Sequence, residues 1–71
     1  MSYAEYSVCV RELGTKGYEI DSQHAKLAQA VESAQAINPG YYRIWIERFL
    51  PNGTIRRYGS DGKKVYDKAP R

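Results

Sequence analysis

The chain has 71 residues, 42% of them hydrophobic and 27% charged, and a formal net charge of +3 at pH 7. That composition is ordinary for a globular protein and argues against a disordered chain, while the length holds one small domain that buries only roughly 60% of its unfolded surface. A single cysteine, Cys9, excludes an intramolecular disulfide and a multi-thiolate metal site, the staples that a secreted domain of this size needs.

Charge is distributed unevenly. Residues 1–40 carry Arg11, Lys16 and Lys26 against Glu5, Glu12, Glu19, Asp21 and Glu32, a balance of −2. Residues 41–71 carry eight basic residues against Glu47, Asp61 and Asp67, a balance of +5. A basic field of this kind favours acidic or phosphate-bearing partners.

Tyr3 to Leu13 alternates, with Tyr6, Val8 and Val10 on one face and Glu5, Ser7, Cys9 and Arg11 on the other, the period-2 pattern of a half-buried strand. Gly14-Thr15-Lys16-Gly17 reads as a turn, and Tyr18 and Ile20 as a short strand hairpinned to the first. Asp21 or Ser22 is a suitable N-cap for a helix from Gln23 to Ile37, because either side chain can accept from an unsatisfied first-turn amide. Leu27, Ala30, Val31, Ala34 and Ile37 form its apolar face, and Asn38-Pro39-Gly40 ends it. Tyr41 to Leu50 is the strongest strand. Asn52-Gly53 is read as a two-residue hairpin turn, Ile55 to Tyr58 as the return strand, and Asp61-Gly62 as a second turn into a strand from Lys63 to Asp67. The tail, Lys68 to Arg71, is expected to fray. The whole predicts a single α+β domain over 1–71 in the order ββαβββ: a curved antiparallel sheet of four to five strands with one helix on one face.

One helix covers one face of such a sheet. With Ile44 and Ile46 turned toward it, Tyr41, Arg43, Trp45, Glu47 and Phe49 turn away. A two-residue turn would set Phe49 opposite Arg56 and Glu47 opposite Tyr58. The open face would then show Tyr41, Trp45, Phe49 and Tyr58 interleaved with Arg43 and Arg56. Aromatic and arginine side chains dominate protein-interface hot spots, and the same mixture suits nucleic acid, where rings stack on bases and guanidinium groups hold phosphates. A third option is that the rings pack on one another, on the tail or on a second copy in a homodimer. The same register opposes Arg48 and Arg57, either relieved by Glu12, Glu19 or solvent, or forming an anion site to which Lys63 and Lys64 contribute.

Residues that could carry chemistry lack partners. His24 is the only histidine and falls near the polar side of the expected helix, and Cys9 has no histidine near it in the chain to lower its pKa. Gly14-Thr15-Lys16 lacks the spacing of a phosphate loop, and Ser60-Asp61-Gly62-Lys63 lacks the acidic ligands of a calcium loop. Asn52-Gly53-Thr54 matches a glycosylation acceptor, but the turn accounts for Asn-Gly. The expectation is a non-enzyme without cofactor or metal. Met1–Glu12 shows no basic segment leading into a sustained apolar run, and no stretch approaches the ~20 apolar residues of a membrane span, so the expected location is the cytoplasm.

In its order of parts the chain resembles small phage-encoded anti-CRISPR proteins of the type I-F group. The likeness is carried by the strand Tyr6 to Val10, the alanine-bearing helix and the C-terminal meander with Tyr42-Arg43-Ile44-Trp45-Ile46-Glu47, Asn52-Gly53, Tyr58 and Asp61-Gly62-Lys63-Lys64-Val65-Tyr66-Asp67. The resemblance implies a stoichiometric inhibitor in the host bacterial cytoplasm, docked on a guide-RNA surveillance complex and blocking access of nucleic acid. The alternative is a small basic nucleic-acid-binding domain that uses the aromatic and arginine face of its sheet.

Overall fold

Five strands and one helix follow in the order β1 (Tyr6–Glu12), β2 (Glu19–His24), α1 (Leu27–Gln35), β3 (Tyr42–Phe49), β4 (Ile55–Gly59) and β5 (Lys64–Lys68) in a computed structural model that describes residues 5–68. The strands form one sheet in the spatial order β2-β1-β3-β4-β5, with every neighbouring pair antiparallel. The fold is therefore α+β, as the period-2 and helical patterns predict. Of the tail Lys68 to Arg71 expected to fray, Lys68 instead closes β5, and residues 69–71 lie outside the described residues.

The alternation of β1 and β3 decides which side chains meet the helix. Val8 and Ile46 are fully buried beneath Ala30 and Ala34, with Tyr58 completing the buried cluster and Tyr6, Leu27, Val31, Ile37 and Ile44 packed around it. Two alanines where helix meets sheet let the backbones approach closely, and the buried cluster is small. Tyr6 and Tyr58 pack as a tilted pair with centroids 6.0 Å apart, a geometry their ring quadrupoles favour.

The helix is shorter than its apolar period predicts. Asp21, Ser22, Gln23 and His24 lie in β2, where Ser22, Gln23 and His24 pair with Val8, Ser7 and Tyr6 and a bulge absorbs Asp21. Neither Asp21 nor Ser22 is the N-cap; Lys26 holds that position, its backbone N–H donating to Gln29 Oε1 at 3.3 Å. The reason is tertiary. An exposed helical turn at residues 21–24 would leave the outer edge of β1 unpaired, whereas continuing the strand satisfies backbone groups of both.

The second correction concerns the β3–β4 hairpin. Leu50 N–H donates to Thr54 O at 2.9 Å and Gly53 N–H to Leu50 O at 2.9 Å, so the loop has three residues rather than two. Gly53 has φ 88° and no non-glycine described residue has positive φ, so Asn52 does not adopt the conformation a two-residue turn demands. Pro51 explains this. In the two-residue hairpin, residue 51 must donate its N–H across the strands, and proline has none. The register moves by one, giving Phe49↔Ile55, Arg48↔Arg56, Glu47↔Arg57 and Ile46↔Tyr58. Tyr58 and Arg56 thus leave the open face for the helix side, and Arg57 takes their place.

Candidate binding face

Ser7 and Cys9 of the central strand form the floor of the open face and are each only 1% exposed, although no helix covers them. Larger neighbours roof them over. Cys9 stands between Ile20 on β2 and Trp45 on β3, and Ser7 Oγ accepts from Gln23 Nε2 at 3.3 Å. Burial, with the Glu47 carboxylate second, pushes the Cys9 thiol up to about 12. A neutral, covered thiol is a packing group.

Over this floor runs a ladder of four side chains. Tyr18 packs on Trp45 with centroids 5.5 Å apart, the Arg57 guanidinium lies 4.4 Å from the indole centroid, and it stands 5.6 Å from the ring of Tyr66. Two hydrogen bonds hold the ladder: Trp45 Nε1 donates to Glu47 Oε1 at 2.9 Å, and Arg57 Nη1 to Tyr66 Oη at 3.0 Å. Arg57 Nε is buried with no partner among the described residues. A guanidinium so close to an indole contributes about 0.5–2 kcal/mol, more as water is excluded. Trp45 is half-buried as a result, while Tyr18 and Tyr66 at the two ends are 55% and 45% exposed.

Beside the ladder, Arg11 and Arg43 are directly opposed across β1 and β3. Like charges at that spacing destabilise a sheet unless an anion lies between them. Among the described residues no carboxylate lies within 4.0 Å of Arg11, Arg43 or Arg57. The helix side differs. Arg48 and Arg56 are also opposed, but Arg48 pairs with Glu5 at 3.1 Å and Arg56 with Asp67 at 2.9 Å. The Arg56 hydrogen bond is the main reason Asp67 titrates below the usual carboxylate range.

The residues singled out from the sequence therefore divide. Arg43, Trp45 and Phe49 share the open face, Phe49 being 56% exposed opposite Ile55, and Tyr41 stands at the entry to β3, 68% exposed. Arg56 and Tyr58 do not join them. The proposed Arg48–Arg57 anion pair is absent, because the shifted register puts those side chains on opposite faces. Lys64 lies opposite Tyr58 and pairs with Asp67 at 3.3 Å, and Lys63 sits in the β4–β5 loop. His24, expected on the helix, ends β2 with Nε2 2.9 Å from Ser22 Oγ. Arg11, Tyr18 and Tyr66 belong to the face and were not anticipated. Arg11 was legible as an outward residue of β1, but its neighbour Arg43 depends on which strand lies beside β1.

No protein-family model, curated protein or solved structure matches the chain. Among the described residues no helix is long and apolar enough to cross a membrane, and no three or more His, Cys, Asp or Glu gather as metal ligands would.

Proposed function

We propose that this is a non-catalytic binding protein working through the open face of its sheet, and that it inhibits by occupying a nucleic-acid-handling complex of the host cytoplasm. One contrast supports the reading. Arginines on the helix side are neutralised within the chain, whereas on the open face Arg11 and Arg43 oppose each other with no carboxylate within 4.0 Å among the described residues, and Arg57 stands across from Glu47 without closing an ion pair. Folding has placed like charges together at a cost, and a polyanionic partner would offset it. Exposed Phe49, Tyr18 and Tyr66 add the ring surface that anchors interfaces. Bulges at Val8/Cys9 and Arg57/Tyr58 would curve the sheet, and a curved face suits a groove or a strand. The one thiol is unsuited to nucleophilic chemistry, because Cys9 is covered and burial keeps it protonated. The anti-CRISPR-like order of parts makes a CRISPR surveillance complex one target to try.

The test is affinity capture from a bacterial lysate, with and without nuclease. Wild type is expected to retain a nucleoprotein. Arg11→Glu with Arg43→Glu is expected to lose it, while Lys26→Glu with Lys63→Glu, an equal change of charge away from the face, is expected to keep it. Equal capture by both double variants would refute the assignment of the open face.

A further inference from the structure

Resting on that reading, we propose that the open face binds a single strand of nucleic acid directly, with a backbone phosphate between Arg11 and Arg43 and bases laid on the exposed rings of Tyr18 and Tyr66.

Charge complementarity is the first argument. Arg11, Arg43 and Arg57 stand on the face and Lys16 and Lys68 at its margin, against one carboxylate, Glu47, whose Oε1 is already engaged by Trp45. Opposed guanidinium groups offer donors from two sides, which suits a phosphate with its several acceptor oxygens. Position is the second. Two shallow hollows border the Trp45–Arg57 stack. One, of about 270 Å³, opens between Tyr18 and Tyr66, and the other, of about 340 Å³, lies between the Arg11–Arg43 pair and Tyr66. Phosphate sites and ring sites therefore adjoin, as a strand with alternating phosphates and bases requires.

The strand is single because of the rings. Tyr18, Tyr66 and Phe49 present surface to solvent, and only an unpaired base can bring its π-face to such a ring; in a duplex those faces are taken by neighbouring bases. Trp45 is not a stacking platform, since Tyr18 and Arg57 already flank it. It fixes the guanidinium, and as the only tryptophan it is a built-in reporter.

The experiment titrates purified protein with a fluorescein-labelled 12-mer oligothymidylate, the same length of duplex, and poly-L-glutamate, reading anisotropy and Trp45 emission. One phosphate between Arg11 and Arg43 and one each at Lys16 and Lys68 give a log–log salt slope of about −2, so binding of the single strand should weaken about 20-fold from 50 to 200 mM salt. Arg11→Gln with Arg43→Gln, which removes the one phosphate held between them, should flatten that slope by about 0.7. Tyr18→Ala or Tyr66→Ala should weaken binding roughly 5- to 150-fold with the slope unchanged. Circular dichroism of each variant establishes that it is folded. Equal affinity for oligothymidylate, duplex and polyglutamate would overturn the proposal in favour of charge alone. So would no oligonucleotide binding at 50 mM salt. If the lysate capture still depends on Arg11 and Arg43 in that case, the partner is an acidic protein and only the direct nucleic-acid contact falls; if capture fails too, both readings fall.

Discussion

Cys9 shows at the scale of one residue how a side chain that looks reactive is spent on packing. Its thiol is held to a pKa of about 12 against 9.0 unperturbed, mainly by burial. Between those values the unfolded chain releases a proton that the folded chain keeps, so stability falls as pH rises through that window, by at most ~1.4 kcal/mol per pH unit. Urea melts of wild type and Cys9→Ala between pH 8 and 11 isolate this slope from the tyrosines and lysines that titrate nearby; the difference between the two proteins should change with pH in that sense. Trp45 is the companion case. The sequence reading turned it outward as an anchor, and outward it is, but it also roofs Cys9 and braces Arg57. Trp45→Ala therefore loosens the fold as well as the face, and Tyr66 or Phe49, both well exposed, are the residues whose truncation reports on binding.

At the scale of elements, the two C-terminal loops are built alike. Asn52 Oδ1 accepts from Thr54 N–H and Asp61 Oδ1 from Lys63 N–H, each at 3.0 Å, and the glycine between them has φ 88° or 87°. At Gly62 the turn also meets the helix, since a Cβ there would stand 2.8 Å from Val31 Cγ2. Gly53→Ala should cost about 1–2 kcal/mol for its left-handed backbone, and Gly62→Ala clearly more. Denaturant midpoints measure both. Adding Val31→Ala should make the Gly62→Ala change less costly, a coupling that a double-mutant cycle reads directly. Turn positions were legible because Asx-Gly is a local signal. Loop length was legible too, in Pro51, whose missing N–H outweighs the preference of Asn-Gly for a two-residue turn.

For the whole molecule, α1 contacts β1, β2 and β3, whereas β5 pairs only with β4 and is exposed along its full length. Amides of β1 and β3 should exchange slowest and those of β5 first, which hydrogen exchange with mass spectrometry resolves. Ile46→Ala, at the fully buried centre, should cost about 2–5 kcal/mol by thermal or urea unfolding. The α+β class, the inward Ile44 and Ile46, the outward Trp45 and the basic C-terminal half could all be read from the chain alone, because side-chain alternation and charge are properties of adjacent residues. Strand order could not be read that way, and the β3–β4 register only through Pro51. Strand order depends on pairing between segments far apart in the chain, while the hairpin register turns on one loop, where a slip of one residue reverses every side chain of a strand. Tertiary structure alone thus brought Arg11 against Arg43, whereas the loop at Pro51 put Arg57 on the face of Trp45 and sent Tyr58 and Arg56 to the helix side.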